Sequence, residues 1–503
     1  MEAIVLWEVS RKQDYIFCSN KLKENIGASI IIEEVVEDLP ISINGRYINN
    51  LIYNGGGGSL YRFKDSSEAK EFIKAVSIKI VKDYPGLEFF MVIEEYDDKA
   101  REVTDAIRNA YNKLARKKSM RENSGALLSF GIEKRCEATG KPAIDTDIDG
   151  RFISEEIKVK IKNSNKSSDK FEKLLSPLKG VSAFSDIAKG DKKYMAVVHI
   201  DGNKMGMRFN QLKSYFEYSN GNYAQTNARY LESLRSFSDE IKKLYEEAFS
   251  HMMEAIMRKK DKLSADTLIA DGKSPVIPII LAGDDITYIT NGKIGIETAK
   301  IFIEYLNSKQ ITMHGDKRIN LNACAGVAII KSTYPFSKAY ALAEDLCNNA
   351  KKRIIEDYGE NDKDFSLIDW HIDQGELMES IGDIRRINYI SEDNKKLYIR
   401  PLYINNGEKW NNYSNFKDAV RNISKLEIDG SNIARNKLKQ LHTVLRSGEN
   451  DTKLFLKSNK IENYFSRLEN TIGENCFYKD NCMYYDALEA LDLFIDLDGE
   501  GVK

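Results

Sequence analysis

Two stretches of this sequence carry the same order of predicted strands and helices, and that repetition limits the folds open to the chain. In the first stretch, an apolar run at 3–9 predicts a buried strand, followed by a helical region at 11–39 that a glycine interrupts. Segments 51–53 and 60–63 predict a hairpin whose tip is rich in glycine. Residues 67–118 then predict a helix, a strand and a second helix, so the order is βαββαβα.

The second stretch repeats this order, beginning with an apolar strand at 194–200. A long helix is predicted over 229–260, and two short strands flank a hairpin tip at 282–285. Residues 294–352 complete the unit with a helix, a strand and a helix. The repeated order, rather than any identity between the two stretches, predicts a duplicated ferredoxin-like unit and an α+β fold.

The chain is too long for one core, and its 503 residues predict about three or four domains. We expect a first ferredoxin-like domain without metal-binding acids at 1–150, a linker or helical insertion at 151–190, a second, catalytic ferredoxin-like domain at 191–355 and a mainly helical domain at 356–503. Within the insertion, the polar, lysine-rich segment 158–178 predicts a solvated linker or mobile loop.

Three aspartates of the second unit are predicted to converge. Asp201 directly follows the strand at 194–200, and Asp284 and Asp285 form the hairpin tip. The first strand and this hairpin are neighbours in a ferredoxin-like unit, and clustered carboxylates are costly unless cations neutralise them. Hard oxygen ligands favour Mg²⁺ or Mn²⁺, and two ions about 3.5–4 Å apart suit nucleotidyl transfer. We therefore predict a two-ion site at these aspartates, which act as catalytic residues, together with the strand residue Ile200.

Other residues have a functional and a structural interpretation that the sequence leaves open. Asp-Gly after a strand and Asp-Asp at a tip are each, alone, typical of solvated turns. Gly202 and Gly283 would let substrate approach the aspartates. Lys351 near a helix end could reach a triphosphate, or it could simply be solvated. His199 is better explained as a packed strand residue than as a ligand.

The hairpin tip of the first unit carries no acid. A glycine-rich tip can bring backbone N–H groups to a base or a phosphate, which would make it an acceptor-nucleotide or modulating site. A plain flexible turn explains the same residues equally well. The candidate residues are Gly55, Gly56, Gly57, Gly58 and Ser59.

Composition excludes several classes of protein. Lys and Arg number 75 against 77 Asp and Glu, so any nucleic-acid surface must be a local patch. The six cysteines form no CxxC pair, and neither zinc nor disulfides are expected. No histidine is followed by aspartate, so the His-Asp nuclease motif is absent. The sequence has no signal-like start and no apolar run of about 18–20 residues, which predicts a cytoplasmic protein without membrane contact.

Several ordered segments together resemble the signature large subunit of type III CRISPR effector complexes, and in particular the type III-B kind. The segments are QDYIF (13–17), YNGGG (53–57), CEATGKPA (136–143), DGNKMG (201–206) and LAGDD (281–285). This family is the CRISPR polymerase with two palm domains, related to nucleotide cyclases and GGDEF proteins. The resemblance implies cyclic oligoadenylate synthesis from ATP when target RNA is bound, or AMP transfer to S-adenosylmethionine. It also implies other complex subunits, CRISPR RNA and target RNA as partners.

The resemblance covers about residues 1–355 and carries further expectations. Ser233, Ser236 and Phe237 resemble the serine-containing segment that contacts nucleotide in relatives. Ala282 replaces the first glycine of the family's Gly-Gly-Asp-Asp tip, and activity is expected to survive. Many relatives carry a four-cysteine zinc site, of which Cys136 remains here. Because no His-Asp nuclease domain precedes the first palm in this sequence, cleavage of single-stranded DNA is not expected.

Two other classes of function stay open. A stand-alone diguanylate or adenylate cyclase uses the same palm with a comparable acid pair, although the duplicated unit and the lack of a recognisable sensor domain disfavour it. A non-catalytic architectural subunit of a ribonucleoprotein is the other, and it leaves the cluster of three acids without a purpose.

Overall fold

The structure is a computed structural model that describes most of the chain. The described residues are 1–120, 131–166, 173–176, 178–180, 187–188, 193–219, 221–259, 263, 273–359, 363–375, 380–428, 432–465, 468 and 476–497. No helix within them is long and apolar enough to cross a bilayer.

The first unit is a four-stranded antiparallel sheet with helices on it. Its strands are β1 (Glu2–Val9), β2 (Leu51–Gly55), β3 (Gly58–Phe63) and β4 (Phe89–Tyr96), in the order β2-β3-β1-β4. Its helices are α1 (Lys12–Phe17), α2 (Leu22–Glu33), α3 (Leu39–Ile43), α4 (Ser66–Asp83) and α5 (Val103–Met120), with a π-helical turn at Glu34–Asp38 and a 3₁₀ turn at Gly45–Asn49. This is the predicted βαββαβα order.

The central strand β1 is buried on both faces, which explains its continuous apolar run. Val5 and Trp7 belong to a core that includes Phe72 of α4, while Ile4 and Leu6 belong to a core that includes Ile107 of α5. Alternate residues of a strand point to opposite faces, so one strand joins two cores. The sheet is therefore a rigid support between two layers of helices.

The segment that follows corrects one prediction. A short hairpin, β5 (Asp145–Thr146) and β6 (Phe152–Ile153), leads into α6 (Glu155–Ser164), which packs against α2. Lys160 of α6 is fully buried, and its ammonium donates to Glu156 Oε1 at 2.6 Å and to the Tyr15 carbonyl at 2.6 Å.

The prediction of a solvated linker from residue 158 was therefore wrong over 158–164, because a buried lysine is tolerated when it is paired. Parts of the predicted linker, at 167–172 and 177, lie outside the described residues.

Gly27 lies within α2 and does not interrupt the helix, contrary to the prediction. A Cβ there would lie 1.8 Å from the Lys160 carbonyl oxygen, so the glycine permits the close packing of the two helices.

The second unit repeats the topology in a sheet of six strands, whose order is β14-β13-β12-β7-β9-β8. Its strands are β7 (Tyr194–Gly202), β8 (Val276–Ala282), β9 (Asp285–Asn291), β12 (Ala323–Lys331), β13 (Leu367–Ile372) and β14 (Leu402–Tyr403). A separate hairpin, β10 (Gln310–His314) and β11 (Lys317–Asn320), was not predicted. Its helices are α7 (Met205–Lys213), α8 (Tyr223–Arg258), α9 (Gly295–Ser308) and α10 (Phe336–Tyr358).

This sheet continues beyond residue 355, where we placed the boundary of the second domain. β13 pairs in parallel with β12 after the crossover through α10, and its residues are all buried. The remaining described elements are mainly helical, as predicted. They are α11 (Ile381–Asn388), α12 (Tyr413–Ile428), α13 (Asn432–Ser447), α14 (Glu449–Asn459), a 3₁₀ turn at Glu462–Phe465, β15 (Phe477–Tyr478), β16 (Asn481–Cys482) and α15 (Tyr485–Ala490).

The two ferredoxin-like units contact each other in a reciprocal way. Helix α2 of the first unit packs on the edge strand β8 of the second, where the Ser29 hydroxyl donates to the Ile279 carbonyl. Helix α8 of the second unit packs on the edge strand β2 of the first. The hairpin tips of both units consequently meet between the two sheets.

Gly326 tests how tightly α10 is seated on the second sheet. A Cβ at this position would lie 1.9 Å from the Ala343 carbonyl oxygen and 2.5 Å from the Cys347 nitrogen, both in α10. We expect Gly326→Ala to lower the free energy of unfolding by about 1–3 kcal/mol, as overpacking does. Denaturant unfolding measures this, with Gly45→Ala as control because no described residue beyond its chain neighbours lies within 4 Å of a Cβ added there. Equal stability of the two variants would contradict the packing.

Candidate active site

Strand register brings the three predicted aspartates together. Asp201 of β7 lies directly opposite Asp285 of β9, and the Gly202 amide donates to the Asp284 carbonyl at 3.2 Å. The tip between β8 and β9 requires a positive φ, which Gly283 supplies with φ of 69°. The two neighbouring strands thus present three carboxylates at one end of the sheet.

Lys351 joins these carboxylates from helix α10. Its Nζ donates to Asp201 Oδ2 at 2.5 Å and to the Gly202 carbonyl at 3.1 Å. Burial acts to lower the pKa of this lysine, but the charge of Asp201 outweighs burial and raises it. Lys351 is therefore a held cation rather than a solvated helix end.

Asp284 and Asp285 have no such lysine pair among the described residues, although His199 Nδ1 lies 3.6 Å from Asp285 Oδ1. Burial, followed by the charge of Asp201, raises the pKa of Asp284 to about 7. Burial also raises the pKa of Asp285, whose Oδ1 is buried without a hydrogen-bond partner among the described residues. The nearby Tyr245 hydroxyl is likewise buried and unpartnered, and burial, then Asp284 and Asp201, raise its pKa. The site holds more negative charge than Lys351 neutralises.

These residues fit hard divalent cations. Carboxylate oxygens are the ligands that Mg²⁺ and Mn²⁺ prefer, and Asp284 and Asp285, whose charged forms burial disfavours, would be stabilised by a positive ion. Within the described residues, no three His, Cys, Asp or Glu side chains already stand in a metal-binding arrangement. The Lys351 ammonium is instead bound to the Asp201 carboxylate. This ion pair would have to break before Asp201 could bind a metal ion.

Some predicted nucleotide-contacting residues lie elsewhere. Phe237 is fully buried, and its ring packs edge-on against Phe209 at 5.3 Å between centroids. Ser233 Oγ is 3.2 Å from His314 Nδ1, and Ser236 is exposed. All three precede Tyr245 on α8 by two to three turns, which is roughly 12–18 Å at 1.5 Å per residue. The structure does not bring these side chains to the aspartates.

The five predicted residues at the glycine tip of the first unit lie in two different environments. Gly55, Gly56 and Gly57 line a cavity between the two units together with Lys12 and Asp285. Gly58 and Ser59 instead belong to β3, and the buried Ser59 hydroxyl donates to the Val36 carbonyl at 3.3 Å.

Two predicted site residues, Ile200 and Gly202, have no side chain that could bind an ion, so they can contribute only through their backbone or small size. The side chain of Ile200 is fully buried in the core, so any contribution to an ion site would come from its backbone. A Cβ on Gly202 would lie 2.9 Å from the Tyr245 hydroxyl and 3.0 Å from the Asp284 Cβ. Glycine at 202 therefore lets the tip and α8 close over the strand end.

Sequence reasoning missed two residues that the fold adds to this region. Tyr245 lies in a long amphipathic helix, where its spacing looks like that of any core residue. Lys12 opens α1, and its ammonium donates to the Gly56 carbonyl, so it lies beside the cavity between the units. Neither residue could be assigned without knowing how the two units face each other.

Comparison with known proteins identifies part of the chain. The family model of the Cas10/Cmr2 second palm domain matches residues 194–358. Over residues 194–358 the chain is similar to that palm domain. The matched residues contain all three aspartates and Lys351. A search of curated protein sequences finds no match.

Solved structures support the same architecture over the whole chain. A Csm1–Csm4 cassette in complex with pppApA matches with a TM-score of 0.55 and 16% identity, covering 98% of this chain and 69% of that one. The cassette with AMPPNP gives a TM-score of 0.54 and 15% identity, over 97% and 69% of the two chains. Csm1 of T. onnurineus gives 0.51 and 14%, with the same coverages.

Two conclusions about the architecture follow. The chain spans 53% of the length of the first matched Csm1–Csm4 structures and 69% of those above. At these identities the structures establish the fold, and they confirm the α+β architecture of two palm domains with a helical part. Together with the family model they confirm the Cas10-like resemblance.

The raised pKa of Asp284 makes stability depend on pH. An aspartate of pKa about 4 when unfolded and about 7 when folded adds stability below about pH 4 and loses it as pH rises to about 7. In a metal-free buffer at pH 8, we therefore expect Asp284→Asn to raise the thermal midpoint by several degrees, and to change it less at pH 4.5. Asp316→Asn, at an exposed Gly-Asp turn, is the control. A pH-independent effect would contradict the uncompensated charge.

Proposed function

We propose that this chain is a nucleotidyltransferase of a type III CRISPR effector complex, which condenses ATP into an adenylate second messenger for antiviral defence when target RNA is bound. The observation that carries the proposal is the pair Asp284 and Asp285, whose pKa values burial raises, beside Asp201 and Lys351 in a domain similar to the second palm of Cas10/Cmr2. The remainder of the proposal follows from this site.

The reaction requires a ribose hydroxyl to attack the α-phosphorus of ATP, with loss of pyrophosphate. Asp201, Asp284 and Asp285 would hold Mg²⁺ or Mn²⁺, which supply activation of the hydroxyl and stabilisation of the departing pyrophosphate. Lys351 lies next to these acids and would exchange Asp201 for a triphosphate oxygen, as a compact point charge can. Gly202 and Gly283 leave the strand ends open to the reacting phosphate.

The acceptor nucleotide would lie towards the first palm. Gly55, Gly56 and Gly57 face the shared cavity with Asp285, so a nucleotide held at this tip would have its ribose near the acids. Lys12 adds a positive charge at the same place. We assign the first palm an acceptor role on this basis.

The product is proposed to be a cyclic oligoadenylate. Matched Csm1–Csm4 structures are complexes with pppApA, AMPPNP and cA4, and the last of these has a TM-score of 0.52 at 12% identity. S-adenosylmethionine as acceptor of AMP is the alternative within the same chemistry. Incubating the assembled complex with ATP, Mg²⁺ and target RNA, with and without S-adenosylmethionine, separates the two products by mass. A product made from GTP alone would favour a stand-alone cyclase.

Removing the acids tests the active site. We expect Asp284→Ala, Asp285→Ala and Asp201→Ala each to lower the rate of ATP condensation by at least tenfold, because each removes an ion ligand at a strand end rather than a core contact. Asp316→Ala, an acid at an exposed hairpin turn, should leave the rate unchanged. Variants are compared as folded, assembled complexes. Normal turnover in the three site variants would place the active site elsewhere and favour an architectural role.

Regulation is tested by comparing the isolated chain, the assembled complex, and the complex with matched target RNA. We expect ATP condensation to be weak in the first two and strong in the third, because the site combines two palms and a shift of about 1 Å between reacting atoms can cost about 10²-fold in rate. The readout is pyrophosphate release. Equal rates in all three would show a constitutive enzyme and leave the metal site untouched.

A further inference from the structure

The first palm contains a counterpart of the Asp201–Lys351 pair that its sequence did not reveal. Glu8 is the next-to-last residue of β1, as Asp201 is of β7. Glu8 lies opposite Gly58, the first residue of β3, as Asp201 lies opposite Asp285, the first residue of β9. The prediction that this palm has no metal-binding acids therefore overlooked one carboxylate at the equivalent strand end.

The lysine is equivalent as well. Lys118 lies at the sixteenth position of α5, the last helix of the first unit, and Lys351 lies at the sixteenth position of α10, the last helix before β13. The Lys118 ammonium donates to Glu8 Oε2, as the Lys351 ammonium donates to Asp201 Oδ2. Strand position, helix position and pairing thus agree independently between the two palms.

The tip is where the two palms differ. Gly58 stands at the place of Asp285, and a Cβ there would lie 2.7 Å from the Glu8 Cγ and 2.9 Å from the Trp7 carbonyl oxygen. An acidic side chain at position 58 would therefore clash with Glu8 in its present conformation. One carboxylate is too few for a two-ion site, whereas a lysine beside a glycine tip suits the phosphates of a nucleotide.

The Lys118–Glu8 ion pair contributes little to the stability of the fold. The Lys118 and Glu8 side chains are half-buried, 34% and 30% exposed, so water still reaches the ion pair and limits its contribution to stability. Tyr111 lies two turns before Lys118 on the same face of α5, is 42% exposed, and its hydroxyl hydrogen bonds to that of Tyr53. An aromatic ring and an ammonium on one helix face are the groups that a base and a phosphate require.

We propose that Lys118 is a positioning residue that binds the phosphates of the second nucleotide without a metal ion, and that Glu8 holds the Lys118 ammonium in place while this position is empty. The inference rests on the proposed function and deepens it. The nucleotide bound here would not be cleaved, because two ions are not held at its phosphates. It would offer its ribose hydroxyl to the nucleotide held at Asp201, Asp284 and Asp285.

The test is the number of AMPPNP molecules bound per chain in the assembled complex with Mg²⁺, measured by titration calorimetry. We expect two for the native chain. Lys118→Met should weaken the second site by about tenfold or more, Lys118→Arg should restore part of it, and Glu8→Gln should leave it unchanged or tighter because the lysine is freed. Lys79→Met, which breaks the exposed Lys79–Asp83 pair of α4, is the matched control.

A purely structural pair gives a different pattern. Lys118→Met and Glu8→Gln would then lower the thermal midpoint alike and leave binding unchanged, which would overturn the inference. One AMPPNP per native chain, lost in Asp284→Ala, would also overturn it while leaving the proposed function standing. Two sites that respond to Lys118 as expected, in a complex that never condenses ATP, would support this inference and contradict the proposed function.

Discussion

Like charge at the ends of two neighbouring strands is the constraint on which the rest of this structure depends. Register fixes Asp201 opposite Asp285, and the tip places Asp284 beside them. A fold that gathers carboxylates in this way is stable only if positive charge is supplied, either by a side chain or by ions. Lys351 supplies one charge, yet burial and the charge of Asp201 still raise the pKa of Asp284.

The packing around this point serves to hold that arrangement. Gly326 brings α10, and with it Lys351, close to β12, and Gly202 lets the tip approach Tyr245. The sheet behind the aspartates is extended by β13, so the strand ends are carried by a wide and buried platform. Such a support would hold the acids in place for the proposed two-ion reaction. The first palm then closes the site from the other side through its glycine tip.

Much of this could be read from the sequence, and the failures have physical causes. Apolar runs and a repeated element order predicted both sheets, because strands buried on both faces leave an unmistakable pattern, as β1 and β7 do. Lys160 was assigned to a solvated linker because the sequence alone does not distinguish a buried, paired lysine from a solvated one. Phe237 was assigned by resemblance to a nucleotide contact, although helical spacing equally describes a core residue. Glu8 escaped notice because its role depends on three-dimensional equivalence to Asp201, not on a motif.

Binding of Mn²⁺ tests the central claim most directly, since it asks whether the three aspartates hold ions at all. Electron paramagnetic resonance can follow Mn²⁺ binding to the native chain and to Asp285→Asn, with and without AMPPNP. We predict that the native chain binds Mn²⁺ more tightly when AMPPNP is present, and that Asp285→Asn loses most of this binding while keeping its fold. Equal Mn²⁺ binding by the two proteins would contradict the account.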